Sequence, residues 1–289
     1  MRSRPISPPR SEGRIGAPTP MEHAAAVTGQ AGRADYGLDA PKVVRNLLLA
    51  GALGLAIWGT AEAGLWSGVL RVGPIAGVEL RFPAAGALWP GAGCTAMALR
   101  MLWSSKVGKV KEREQQLDRV PWTGSERVLD VGCGRGLLLV AAARRLTTGR
   151  ATGIDIWQAE DLSGNRPEAT LENARREGVA DRVEVKTADM RKIPFPDTSF
   201  DVVVSSQAIH NIYDAEGRAQ AIAEIARVLG PNGYALIRDI RHLDDYAAVF
   251  EARGVPDVRR LSSRTATIFL ALVTFGSLRP GVLLARKPA

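Results

Sequence analysis

From residue 121 onward, short runs of aliphatic and β-branched residues alternate with amphipathic stretches. Residues 126–131, 151–156, 183–186, 200–205 and 234–239 read as strands, and residues 136–146, 167–177 and 215–228 as helices. Strand–helix alternation of this kind predicts a mainly parallel sheet covered by helices on both faces. Ligands of such sheets bind beyond the carboxyl ends of the strands.

The first half of the chain has a different texture. Pro5, Pro8, Pro9, Pro18 and Pro20 stand among Arg, Gly, Ala and Ser with little apolar periodicity, so residues 1–41 read as a disordered, net-positive tail. Residues 47–61 then carry no charge, and apolar character resumes after Glu62 up to Trp66. As a helix, residues 47–66 would span about 30 Å, the thickness of a bilayer core. A second uncharged run, residues 82–99, leads to Arg100 and Trp103.

Together the two runs suggest a transmembrane hairpin over residues 42–104. The connecting loop is poor in cations, whereas Arg100, Lys106, Lys109, Lys111 and Arg113 follow the second run and a basic tail precedes the first. The positive-inside bias then places both ends, and the domain that follows, in the cytoplasm. Small residues at four-residue spacing (Ala50 with Gly54, Ala52 with Ala56, Ala92 with Ala96) would let two helix backbones approach closely, and Trp66 and Trp103 would mark opposite interfaces. Against this stand the Ala and Gly content, Glu62, and Pro83 and Pro90 in the second run. The alternative is an Ala-rich helical lid on a soluble cytoplasmic protein. Residues 105–120 read as a basic linker, and 121–289 as the globular domain.

Composition bounds the picture. The chain has 289 residues, 46% of them hydrophobic, and a formal charge of +8. That length and apolar content support a proper core and exclude a wholly disordered protein. The charge is compatible with anionic lipid or nucleic acid without choosing between them. The two cysteines, Cys94 and Cys133, do not form a disulfide framework or a zinc-type cluster, and no metal site is expected.

Candidate chemistry gathers in Val128-Leu-Asp-Val-Gly-Cys-Gly-Arg-Gly136, which places Gly132, Gly134 and Gly136 between a buried strand and a helix, where a ligand can lie against bare backbone. The next strand ends in Gly153-Ile-Asp-Ile-Trp157, delivering a carboxylate 19 residues after Gly136, suited to a ribose diol. The dinucleotide fingerprint G-x-G-x-x-G fails, because position 137 is Leu. Asp189 and Met190 follow the third strand, suited to an adenine amino group and ring face.

Residues 128–136, 153–157, 188–190, 200–211 and 225–233 resemble, in order and spacing, the motifs of class I S-adenosylmethionine-dependent methyltransferases. Within that superfamily the resemblance is to the small-molecule branch containing the ubiquinone and menaquinone biosynthesis enzymes. It implies a Rossmann-like seven-stranded α/β sheet and S-adenosylmethionine as cofactor. By the same resemblance, Asp130 would shape the glycine turn and hold the methionine amino group, the backbone of Gly132, Cys133, Gly134 and Gly136 would line the methionine part, and Asp155 would bind the ribose. Ile156 and Trp157 would belong to the nucleoside wall, Asp189 and Met190 would hold adenine, and Ser205 or Ser206 would face the methyl group. One departure is Asn232, where the family commonly has Gly; Asn tolerates a left-handed turn.

The implied chemistry asks mainly for alignment and exclusion of water. If the acceptor is an oxygen or an acidic carbon, His210 is the candidate base; alternatively His210 and Asn211 cap a short helix. The resulting expectation is a membrane-anchored methyltransferase acting on a lipophilic or other small molecule. Protein or nucleic-acid methylation is the second reading, though no aromatic–basic stripe supports it; a non-catalytic membrane scaffold is the third. Cys133 reads as a packed residue and Arg227 as a solvated one. A further apolar stretch, residues 266–275, is too short to cross a bilayer and reads as a core strand or pocket cover.

Overall fold

The computed structural model describes residues 34–75, 78–158, 162–261 and 279–289. The tail before residue 34 and the apolar stretch 266–275 lie outside these residues.

Seven strands form one sheet in the order β5-β4-β3-β6-β7-β9-β8: β3 (Arg127–Val131), β4 (Arg150–Asp155), β5 (Val183–Thr187), β6 (Phe200–Ser206), β7 (Leu229–Asp239), β8 (Asp257–Arg260) and β9 (Gly281–Arg286). The β3–β4, β3–β6, β4–β5 and β6–β7 pairings are parallel, and β9 runs antiparallel between β7 and β8. The central strands explain themselves: successive side chains of a strand point to opposite faces, and both faces here are covered. Leu129, Val131 and Val203 pack toward α6 (Ala215–Val228) and α7 (Leu243–Ala252), whereas Val128, Val202 and Val204 pack toward α4 (Leu137–Ala143) and α5 (Pro167–Arg176).

Helix α6 starts where Asp214 accepts a hydrogen bond from the Gly217 amide and buries Ala221, Ile222, Ile225 and Ala226 on one stripe. Asn232 adopts φ +60°, the left-handed conformation that its substitution for glycine requires. Strand β8 and helix α7 escape the sequence reading. In β8 a single apolar residue, Val258, is flanked by Asp257, Arg259 and Arg260, the charge pattern of a protected edge. Arg227 is not a solvated residue: its guanidinium donates to the carbonyls of Phe195 and Ile193 and pairs with Glu224 and Asp197, clamping the loop after β5 onto α6.

The N-terminal part is a helical hairpin of α1 (Pro41–Glu62) and α2 (Leu88–Trp103), joined by the antiparallel strands β1 (Val69–Ile75) and β2 (Val78–Pro83) rather than by a simple loop. The antiparallel helices touch through small residues, of which Gly54 alone belongs to the predicted set. A methyl group added at Gly51 would overlap Thr95, and one at Gly54 would come within 2.8 Å of the Gly91 Cα, so it is Gly51, Gly54 and Gly91 that set the close approach. Ala50, Ala52 and Ala56 face outward. Pro83 closes β2 and Pro90 lies in the first turn of α2, where no intrahelical N–H bond is lost. Glu62 is the last residue of α1. Among the described residues only α1 is long and apolar enough to cross a membrane by length and composition; α2 has 16 residues.

Residues 105–120 are not a flexible linker. A π-helical turn (Ser104–Gly108) joins α2 directly to α3 (Lys109–Leu117), which docks on α4 through Arg145, whose guanidinium pairs with Glu114 and Asp118. Residues 34–39, expected within the tail, instead form a strap. The Asp35 amide donates to Asn173, the Leu38 amide to the Ser163 hydroxyl, and Arg135 pairs with the Asp35 carboxylate at 3.0 Å.

Candidate active site

Beyond the carboxyl ends of β3, β4 and β6 lies a cavity of about 760 Å³, walled by the glycine turn, the ends of the next two strands, the loop after β6, the strap and the first turn of α1. Its floor is the glycine turn. Gly132 has φ +72°, and a Cβ there would overlap the Ala208 side chain, so only glycine serves both the turn and the close approach of the β6 loop. Gly136 also has positive φ, but a Cβ there would meet Thr170 of α5; it is a packing glycine at the start of α4 and does not line the cavity.

Asp155 fastens this turn. One carboxylate oxygen accepts from the Gly134 amide at 2.8 Å, the other from the Trp157 amide at 2.6 Å and from Asn165 at 3.3 Å. It lines the cavity with Ile156, but Trp157 does not. Trp157 has φ +61°, and its indole turns to donate to Thr187, so Ile156 and Gln158 form the wall there. Asp189 and Met190 line the cavity as expected. The Asp189 carboxylate is engaged by Arg191 at 2.6 Å, and that hydrogen-bonded partner holds its pKa below the usual value.

At the end of β6 the two serines divide. Ser205 is buried and donates to the Val131 carbonyl at 2.7 Å, tying β6 to β3, and does not reach the cavity. Ser206 lines it with a buried hydroxyl that has no protein partner. Cys133 is buried against Gly153, and burial pushes its thiol well above the ordinary pKa, so it is a packing residue on the cavity floor.

Two buried ionisable groups of opposite sign face the same space. Asp130 is 2% exposed, and its Oδ2 has no hydrogen-bond partner; burial raises its pKa to about 8. Arg113, from α3, is 5% exposed; its Nη2 donates to Gln207 at 3.4 Å, its Nη1 makes no hydrogen bond and has only the Glu112 carboxylate 4.0 Å away, and burial presses its pKa down. A guanidinium remains charged at neutral pH even so. Buried polar atoms without a hydrogen bond are rare and costly in a folded chain, and here a carboxyl group, which an ammonium would hold ionised, and a guanidinium line the space for an ammonium and a carboxylate. An α-amino acid end carries that pair, so the site fits the methionine part of S-adenosylmethionine. Arg113 was legible in the sequence only as one cation in a basic run.

His210, in the turn after β6, is 19% exposed and lines the cavity. Its Nδ1 lies 2.5 Å from the carboxylate of Asp239, though off the axis of a hydrogen bond. Asp239, at the end of β7, is fully buried and also accepts from the amides of His210 and Ile240 and from the Tyr246 hydroxyl. The sequence showed Asp239 only as a strand end.

Residues 129–237 match the family described as "Methyltransferase domain". This match over residues 129–237 supports a class I S-adenosylmethionine-dependent methyltransferase domain. The methyltransferase GfsG of Streptomyces halstedii is 36% identical over 137 residues, covering 46% of this chain and 46% of that protein. The ubiquinone/menaquinone biosynthesis C-methyltransferase UbiE of Geobacter sulfurreducens is 31% identical, over 43% of this chain and 46% of that one. The chain thus spans about half the length of these relatives, and their similarity bears on the methyltransferase domain. Among solved structures, the [4+2]-cyclase SpnF shares the fold, with a TM-score of 0.50 at 22% identity over 62% of this chain and 81% of that chain.

Proposed function

We propose that this protein is a membrane-anchored methyltransferase that moves the methyl group of S-adenosylmethionine to a lipophilic small molecule. The observation that carries the cofactor is a buried carboxyl and a buried guanidinium, Asp130 and Arg113, each lining the cavity beside the side-chain-free turn with one polar atom that makes no hydrogen bond. In this reading Asp130 takes the cofactor's ammonium, Arg113 its carboxylate, and Ile156, Asp155, Asp189 and Met190 surround the nucleoside. The reacting centre then falls toward Ser206 and His210, at the other end of the cavity.

When bound, S-adenosylmethionine supplies an electrophilic methyl carbon with a neutral thioether as leaving group. The chain's own part is to align an acceptor, exclude water and receive a proton. A tilt of the His210 ring would bring its Nδ1–H into line with Asp239, leaving Nε2 to take the proton from an acceptor hydroxyl or acidic carbon as the new bond to the methyl forms. Replacing His210 by Ala is expected to lower the rate of methyl transfer by about 10²–10⁴-fold with cofactor affinity unchanged, as for loss of a general base. The test uses radiolabelled methyl donor, the purified protein in detergent, and membrane lipid and quinone extracts. Cofactor binding without label transfer to any extract would sink the enzymatic reading, a real alternative because the cyclase-named neighbour shares the fold.

The anchoring half rests on the hairpin surface. Leu48, Leu49 and Leu53 of α1 and Trp89, Met97, Leu99 and Trp103 of α2 are exposed, large apolar side chains on both helices of the kind that mark a membrane or partner surface. Trp66 and Trp103 stand at opposite ends of the antiparallel pair, suited to two interfaces. In vesicles, brominated phospholipid is expected to quench the hairpin tryptophans Trp58, Trp66, Trp89 and Trp103 but not Trp122 and Trp157 of the catalytic domain. Equal quenching of both sets, or of neither, would contradict anchoring; variants retaining one set at a time separate the signals.

A further inference from the structure

The end of the hairpin that joins the catalytic domain is also a wall of the cavity. Because α1 and α2 are antiparallel, the first turn of α1 and the last turn of α2 meet there. Lys42 and Val43 from one, and Met101 from the other, line the cavity together with Ile212, Tyr213 and Ile240. The same stretch holds exposed cations, Lys42, Arg45 and Arg100, followed by Lys106 in the π-helical turn. Moving away from the domain, α1 turns to exposed Leu48, Leu49 and Leu53, and α2 to exposed Leu99 and Met97. A basic collar giving way to an apolar shaft is the profile of a bilayer surface.

Position along the hairpin then sets depth. A helix rises about 1.5 Å per residue, so Val43 lies roughly 9 Å along the axis from Leu49, a little more than the roughly 5–7 Å depth of one headgroup layer. On the proposed anchoring, the cavity would open near the level of the lipid headgroups, neither in bulk water nor at the bilayer midplane. Two apolar side chains stand on its rim: Val43 is 48% exposed and Tyr213 fully exposed. The glycine-turn end is roofed by the strap, where Leu38 and Ser163 exchange hydrogen bonds and Asp35 is held by Arg135 and Asn173.

We infer that the methyl acceptor is an amphiphile taken sideways from the bilayer, passing between Val43 of α1 and Tyr213 of the loop after β6. Its polar head reaches His210, and its apolar tail stays against Val43, Met101 and the shaft of α1. This rests on the proposed anchoring and adds to it a route and a depth: the reacting atom lies near the polar end of the acceptor, not along its chain.

The test places a photoreactive side chain at single sites of the full-length protein in vesicles of phosphatidylethanolamine and phosphatidylglycerol: Val43→benzoylphenylalanine and Tyr213→benzoylphenylalanine at the rim, and Ile240→benzoylphenylalanine inside. Gln220→benzoylphenylalanine, at the amino-terminal edge of the sheet near Asp197 and Lys287, is the control. After irradiation, mass spectrometry is expected to find phospholipid adducts at Val43, Tyr213 and Ile240 and none at Gln220. The Ile240 variant is scored only if it still binds S-adenosylhomocysteine; otherwise Ile212→benzoylphenylalanine replaces it. Quenched hairpin tryptophans with no adduct at Tyr213 or inside the cavity would overturn the lateral route and leave anchoring intact. Unquenched hairpin tryptophans would overturn anchoring and the route with it. Adducts at Gln220 equal to those at the rim would overturn the route, because the labelling would then be independent of place.

Discussion

Arg113→Gln is expected to weaken binding of S-adenosylhomocysteine by roughly 30-fold to several thousand-fold, the equivalent of about 2–5 kcal/mol for truncating one partner of a buried charge pair. Arg113 leaves α3 buried, its Nη1 has no protein acceptor, and it lines the cavity with Asp130. A buried guanidinium whose only close acceptor is Gln207, at 3.4 Å, costs the unliganded protein stability, because desolvation is incompletely repaid. The same substitution is therefore expected to leave thermal stability of the unliganded protein unchanged or raised while affinity falls. Titration calorimetry and thermal melts read the two effects separately. Unchanged affinity would place the cofactor's carboxylate elsewhere, and a large loss of stability would make Arg113 a structural residue.

The second large effect concerns pH. Burial lifts Asp130 from an ordinary value of 3.8 to about 8, so the unliganded protein at neutral pH holds a proton that the unfolded chain has released. Where the folded state binds the extra proton, stability falls as pH rises. The loss is expected to run at up to about 1.4 kcal/mol per pH unit between these two values and to end above the upper one. Cofactor binding works in the opposite sense. An ammonium group needs the carboxylate form, so binding should release up to one proton and strengthen by as much as tenfold per unit as pH climbs toward 8. Calorimetry in buffers of different ionisation heat measures that proton directly. Asp130→Asn should bind more weakly and lose the pH dependence; an equally steep profile in this variant would assign the proton to another group.

These two residues also mark how far the sequence carries. Asp130 was legible because it stands two places before a glycine turn at the end of a buried strand, a local pattern. Arg113 was not, because its role depends on α3 being welded to α2 through a π-helical turn and laid on α4. The chain's linear charge pattern showed only a basic run where the fold buries one of its members. His210 was found from its place after β6, yet Asp239, 29 residues away, joins it only because β7 lies beside β6 with parallel register.

Local chemistry accounts for the successes and packing for the corrections. The strand–helix alternation, the glycine turn, the adjoining acids and the left-handed Asn232 all follow from short-range rules of periodicity and backbone sterics, and they were readable without coordinates. Those rules could not say that Trp157 and Ser205 turn from the cavity to Thr187 and Val131, that Gly136 serves helix packing, or that Gly51 and Gly91 join Gly54 at the hairpin contact while the neighbouring alanines face outward. Nor could they place residues 34–39 over the site. Such choices depend on which surfaces meet. A residue's type and spacing determine the element it can build, but the partner its side chain finds is decided when distant segments compete for the same space and the same unpaired polar atoms.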